Sequence, residues 1–310
     1  MALGYDGKLY ILAFDHRGSF QKKMFGIEGE PSQEETDTIS DAKKLIYEGM
    51  QLATEREGGV DAAAAGVLVD EQFGSDIPKL AREHGLKLAQ PVEKSGQEEF
   101  DFQYDEDFGQ HILDNDPDFS KVLVRLNPDG DAEMNERQLG RLKELADWLH
   151  ENGRLFLFEL LVPATDEQLA SVDGDSDRYD QELRPELMRR AIEQIQDFGC
   201  EVDIWKIEGV DAQEDAEMLI KQTRSGEGRE NVTSVLLGRG ASDEKVDQWL
   251  RVAAPVEGFI GFAIGRSIWW DALKGFLEEG LDRRKAAEQI ADNYLRFIKV
   301  YDDAEASARV

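Results

Sequence analysis

At 310 residues with 41% hydrophobic side chains, the chain can bury a large core, and its length suits one α/β barrel without forcing a second domain. A formal net charge of -30, from 66 Asp and Glu against 36 Lys and Arg, argues against recognition of nucleic-acid phosphates through a broad basic face. No apolar run approaches the ~20 residues of a membrane span and Met1-Ala2-Leu3-Gly4-Tyr5-Asp6 lacks a signal-peptide pattern, so a cytoplasmic protein without a membrane partner is expected.

Acidic residues are spread over 33–37, 97–107, 173–182 and 211–217 rather than gathered in one tail. This pattern is read as a surface adapted to high salt, where counter-ions screen self-repulsion. Cys200 is the only cysteine, which rules out an intrachain disulfide, and its apolar setting marks it as a small core residue.

In chain order, the apolar run Leu9–Phe14 is the first strand and ends in Asp15-His16-Arg17-Gly18. Thr38–Glu55 has helical periodicity. Ala62–Val69 is the next strand, ending in Asp70-Glu71-Gln72, and the helix Ile77–His84 stops at Gly85. Leu86–Val92 runs into Glu93-Lys94, and a long acidic loop leads to a helix near Phe108–Leu113. Lys121–Leu126 precedes the amphipathic helix Glu136–Glu151, and Leu155–Leu161 carries Glu159.

A polar loop, Asp166–Gln181, leads to the helix Pro185–Phe198. The sixth strand lies in Val202-Asp203-Ile204-Trp205-Lys206-Ile207-Glu208-Gly209, and Asp211 is placed to cap the helix Ala212–Thr223. Val232–Leu237, the helix Asp243–Val252, Phe259–Ile264, a helix from Ser267 and a last helix over Asp282–Tyr301 complete the chain. Eight strand–helix units with no break in composition predict one (β/α)₈ TIM barrel over residues 1–310, with an extra C-terminal helix. A doubly wound sheet is the alternative.

Such a barrel keeps its active site at the C-terminal ends of the strands, where this chain places Asp15, Arg17, Asp70, Glu71, Gln72, Glu93, Lys94, Arg125, Glu159 and Lys206. Strand parity puts Lys121, Leu123 and Arg125 on one face, and Ile204, Lys206 and Glu208 on another. A lysine inside an apolar strand pays for lost hydration by favouring its neutral form, which is the form that attacks a carbonyl. An amine for the covalent adduct, a carboxylate for proton transfer and a second cation for a developing alkoxide make a workable catalytic set.

Gly238-Arg239-Gly240 and Gly265-Arg266-Ser267 follow strands seven and eight, where exposed backbone N–H groups, a helix start and an arginine suit a phosphate. His84, His111 and His150 fall on or at the ends of helices, which leaves only His16 near the mouth and no basis for a histidine-rich zinc site. A Mg²⁺ held by Asp15, Glu71 and Glu159 stays open.

Leu9-Tyr10-Ile11-Leu12-Ala13-Phe14-Asp15-His16-Arg17-Gly18-Ser19-Phe20, Asp203-Ile204-Trp205-Lys206-Ile207-Glu208-Gly209 and Gly261-Phe262-Ala263-Ile264-Gly265-Arg266-Ser267-Ile268-Trp269-Trp270 together resemble a class I aldolase group. That group includes tagatose-bisphosphate aldolase and the aldolase domain of myo-inositol catabolism, and the first motif is most similar to the latter. The resemblance implies Lys206 as Schiff-base lysine, Glu159 as proton-transfer carboxylate, and Asp15 as a hydroxyl-binding or acid/base partner. A lysine on strand four assists in such enzymes; Lys121 matches it, with Arg125 as the alternative on the same face.

The implied reaction is retro-aldol cleavage of a phosphorylated ketose, without cofactor. The inositol-pathway substrate would be 2-deoxy-5-keto-gluconate 6-phosphate, giving dihydroxyacetone phosphate and malonate semialdehyde. The fused form of that enzyme carries a kinase domain ahead of the barrel, a pattern from which this chain departs. A Mg²⁺-dependent lyase on the same barrel and a non-catalytic phosphosugar-binding barrel are the competing readings. Trp269, Trp270 and the last helix would cover the barrel or, in a homo-oligomer, meet another subunit, with covering preferred.

Overall fold

Short apolar runs become eight strands: β1 Leu9–Ala13, β2 Ala65–Leu68, β3 Lys87–Pro91, β4 Phe119–Arg125, β5 Leu155–Leu161, β6 Ile204–Glu208, β7 Thr233–Leu237 and β8 Phe259–Ile264. They belong to a computed structural model that describes residues 2–308; Met1 and residues 309–310 of the expected 1–310 span lie outside it. Each strand pairs in parallel with the next, and β8 returns to β1 through Leu9↔Gly261 and Leu12↔Ile264. Closure settles the choice between barrel and doubly wound sheet in favour of the (β/α)₈ barrel.

Side-chain alternation divides the apolar residues into two layers. Leu9, Ile11, Ala13, Phe119, Leu157, Ile204 and Val235 fill the inside of the barrel. Tyr10, Leu12, Val122, Phe158, Trp205 and Leu236 point outward, beneath the ring of helices. The interior filling ends partway up, and charged side chains occupy the next level on β4, β5 and β6.

Helix starts are set by local chemistry. Ser32 and Glu35 form a capping box ahead of Gln33–Glu55, and the Asp131 carboxylate accepts from Met134 N at 2.9 Å to start Ala132–Glu151. The last helix, Arg283–Ala308, packs on Gln33–Glu55, Asp243–Ala253 and Arg266–Glu278. Its Tyr294 hydroxyl donates to Tyr10 O at 2.6 Å, and Tyr301 donates to Phe259 O at 2.9 Å, so it covers the junction of β1 and β8. Trp269 is buried and donates its Nε1 proton to Ala13 O at 2.9 Å. Among the described residues no helix is long and apolar enough to cross a membrane.

Four local expectations need correction. The stretch expected as a polar loop over Asp166–Gln181 is largely helical: Thr165 and Gln168 form a capping box on Asp166–Ser171, and Ser176–Arg178 runs into a π-helix, Tyr179–Leu183. The acidic segment after β3 folds back through an antiparallel Glu93↔Phe102 bridge, because Phe100 and Phe102 have apolar surface to bury. Gly18–Phe25 is a further helix between β1 and Gln33–Glu55. Asp211 does not cap its helix; it takes hydrogen bonds from Lys245 Nζ at 2.6 Å and Trp249 Nε1 at 2.8 Å.

Candidate active site

Register places the reacting groups. Glu159 on β5 lies directly beside Lys206 on β6, while Lys121 on β4 pairs with Leu157, one interior level lower. Lys206 Nζ stands 3.0 Å from Glu159 Oε2, and Lys121 Nζ stands 3.0 Å from the same oxygen. Lys121 also donates to Asp15 Oδ2 and to Glu93 Oε1, both at 2.8 Å. One ammonium thus binds three carboxylates, and the third shares its oxygen with a second ammonium. Both lysine side chains are nearly buried, at 1% and 4% exposure.

Burial alone would raise the pKa of each carboxyl and lower that of Lys121. At Asp15 burial is outweighed by Lys121, His16 and Lys206, and at Glu159 by Lys121 and Lys206; both carboxyls are held below their ordinary range. Lys121 is held well above its ordinary value, because Asp15, Glu159 and Glu93 together overcome its desolvation. At Glu93 burial prevails over Lys121 and Arg17, and its pKa rises. His16 is driven down to about 4, first by burial and then by Arg266, Lys206 and Lys43, against the pull of Asp15. Its ring packs edge-on to Trp269.

The cluster opens into a cavity of about 330 Å³ at the C-terminal mouth of the barrel. Asp15, Arg17, Lys94, Lys121, Arg125, Glu159, Lys206, Gly238, Arg239, Gly240, Gly265 and Arg266 all line it. Gln72 does not: it sits exposed on the short helix Glu71–Gly74, behind the β2 end. Beyond the two lysines, most of the lining cations are already engaged by protein oxygens. Lys94 pairs with Asp101 and Asp105, Arg125 donates to Gln97 O at 2.7 Å, and Arg239 pairs with Asp180 and with Glu208 at 2.9 Å.

Arg17 donates to Glu93 O at 2.6 Å and to Gln103 Oε1 at 2.9 Å. Arg266 has no hydrogen-bond or ion-pair partner among the described residues. Gly240, at φ +72°, lies so close to it that a Cβ there would stand 2.4 Å from its Nη2. At the end of β6, a Cβ on Gly209 would fall 2.2 Å from the Trp249 ring, so the Lys206 strand can leave the barrel only through glycine.

Glu93 and His16 also line the cavity; sequence placed both near the mouth but gave neither a role. Both had been visible as polar residues at strand ends, with nothing to tell a buried carboxylate from a solvated one. The Mg²⁺ set fails geometrically: Glu71 bonds to His111 at 2.8 Å outside the cavity, while Asp15 and Glu159 converge on an ammonium. Among the described residues no group of three or more His, Cys, Asp or Glu is arranged to hold a metal ion.

A closed (β/α)₈ barrel with a lysine–carboxylate cluster at its C-terminal mouth is the architecture of an aldolase-type lyase, and comparison with known proteins supports that coarse class. A family model described as "Uncharacterized protein conserved in bacteria" (DUF2090) matches residues 5–305, and the chain belongs to that family. Tagatose 1,6-diphosphate aldolase of Listeria monocytogenes serotype 4b is 24% identical, covering 96% of this chain and 88% of the relative. Tagatose 1,6-diphosphate aldolase 2 of Enterococcus faecalis is 23% identical over 89% of this chain and 83% of its own length.

Among solved structures, fructose-bisphosphate aldolase of Plasmodium falciparum matches with a TM-score of 0.61 at 15% identity, covering 96% of this chain and 91% of that one. The Corynebacterium glutamicum protein Cgl0159 matches at 0.58 and 17%, covering 96% and 88%. These two likenesses show the fold.

Proposed function

We propose that the protein is a Schiff-base aldolase acting on a phosphorylated ketose or keto-sugar acid. The observation that carries this reading is the buried Lys206 amine 3.0 Å from Glu159 Oε2, at the floor of an open cavity. Glu159, kept ionised by two ammonium groups, takes a proton from Lys206 and frees its lone pair. The amine adds to the substrate ketone, Glu159 returns its proton to the carbinolamine hydroxyl, and water leaves, giving a protonated imine. A carboxylate then removes the proton of the hydroxyl β to the imine carbon. The C–C bond breaks, its electron pair enters the imine to form an enamine, and the aldehyde departs. Protonation of the enamine carbon and hydrolysis return Lys206 and release the ketose-phosphate fragment.

Lys121 holds Asp15, Glu93 and Glu159 in one array and offers a fixed positive charge to a developing alkoxide. Arg266 and the backbone of 238–240 and 265–267 take the phosphate. The names of the Listeria and Enterococcus relatives favour a phosphorylated ketose. The likeness of the β1 motif to the inositol-pathway enzyme favours 2-deoxy-5-keto-gluconate 6-phosphate, cleaved to dihydroxyacetone phosphate and malonate semialdehyde.

Borohydride reduces an imine to a stable amine, so dihydroxyacetone phosphate with borohydride should inactivate the enzyme and leave a three-carbon phosphate on Lys206, read by mass spectrometry. Lys206→Ala and Lys206→Arg should both lose adduct and turnover, since a guanidinium stays protonated. An adduct on Lys121 would keep the reaction and overturn the assignment. Turnover abolished by EDTA, with no trapped adduct, would replace the imine with a metal-assisted lyase.

A further inference from the structure

Glu93 sits at the β3 end of the cavity, and its side chain is 7% exposed. Its Oε1 accepts from Lys121 at 2.8 Å, and its main-chain oxygen accepts from Arg17 at 2.6 Å. The other carboxylate oxygen, Oε2, is buried and has no hydrogen-bond partner among the described residues. A buried acceptor left open costs its full desolvation, and more when charged, so such an atom is best explained by a partner that arrives with a ligand. The neighbouring cations do not supply that partner. Arg17 reaches only 3.9 Å from Oε1, Lys94 is held by Asp101 and Asp105, and Arg125 is turned to Gln97 O.

The other two carboxylates are spoken for in a different way. Asp15 and Glu159 face the two lysines and belong to the covalent chemistry proposed above. Glu93 touches Lys121 with one oxygen and leaves the second for substrate. A hydroxyl suits this position, because it donates to an ionised carboxylate and accepts from a protonated one, whereas an amine or a second phosphate suits only one of the two states.

We propose that Glu93 is a substrate-binding residue whose Oε2 pairs with one hydroxyl of a polyhydroxylated sugar phosphate, making it a determinant of which sugar the cavity accepts. The inference rests on the aldolase reading only for the class of ligand. It can be measured without turnover, using a hexitol monophosphate, in which the ketone is reduced and no imine can form. Calorimetric titration of sorbitol 6-phosphate and its mono-deoxy analogues into wild type and Glu93→Gln gives the coupling between one hydroxyl and one side chain.

The expected result is a Kd raised roughly tenfold or more by Glu93→Gln, in line with the loss of one hydrogen bond to a charged group. One deoxy analogue should bind wild type about as weakly, and that analogue should lose nothing further in the variant. Glu93→Asp keeps the charge beside Lys121 but withdraws the oxygen, and should show the same coupling with wild-type thermal stability. A variant that weakens every analogue by one common factor would overturn the proposal, leaving Glu93 only as a counter-ion for Lys121. So would an unchanged Kd, or no binding of the hexitol phosphate to wild type. Coupling without a borohydride adduct would keep this inference and remove the aldolase reading; an adduct without coupling would do the reverse.

Discussion

Four arginines reach the cavity, and their partners separate them. Arg17, Arg125 and Arg239 are each spent on protein oxygens, and only Arg266 meets the ligand space with its charge unmatched among the described residues. The two glycine–arginine turns look alike in sequence, yet Arg239 is neutralised by Asp180 and Glu208, residues that no local pattern connects to it. Arg266→Ala should therefore raise KM for a phosphorylated substrate by roughly one to two orders of magnitude, the equivalent of a charge-assisted pair of ~1.5–3 kcal/mol. Steady-state kinetics on a correctly folded variant checks this, and an unchanged KM would move the phosphate elsewhere. Arg239→Ala should cost less, because its charge is already satisfied.

Elements with strong periodicity were legible. The eight strands and the long helices follow apolar spacing, and strand parity put Lys121, Leu123 and Arg125 on one face, which in the structure is the face that lines the cavity. Gly18–Phe25 was not legible, since it opens on glycine and carries Gln21, Lys22 and Lys23 across its middle. The segment after β3 was read as a loop because its acidic residues mask Phe100 and Phe102. Phe102 stacks on Phe108 at 4.3 Å and meets Phe100 edge-on at 5.2 Å, and that aromatic group pulls the segment back onto the barrel.

The hairpin it closes returns Gln103 N to Val92 O at 2.9 Å and so frames Glu93. Phe102→Ala should destabilise the protein by about 3 kcal/mol through the cavity it leaves. Chemical denaturation measures this, and a loss under about 1 kcal/mol would show that the aromatic group does not anchor the hairpin.

Across the whole molecule the charge of -30 is carried by a surface on which acidic side chains outnumber their partners. Individual exposed ion pairs such as Arg178–Glu182 or Lys299–Asp303 contribute little, because water and salt screen them, and do not offset long-range repulsion. Raising KCl from low to molar concentration shortens the screening length from about 10 Å at 0.1 M to about 3 Å. If the surface is adapted to salt, the melting temperature should climb steeply over that range. A flat profile would leave an ordinary acidic protein.

Screening also removes what keeps most acidic proteins apart in solution, and here the pairing of β8 with β1 takes on a second meaning. Among the described residues the sheet, closed into a ring, has no open edge strand, so it offers no row of free N–H and C=O groups to a neighbouring molecule. Crowded copies with their repulsion quenched find no ribbon in this sheet to extend, so closure removes one route to strand-by-strand association at any ionic strength.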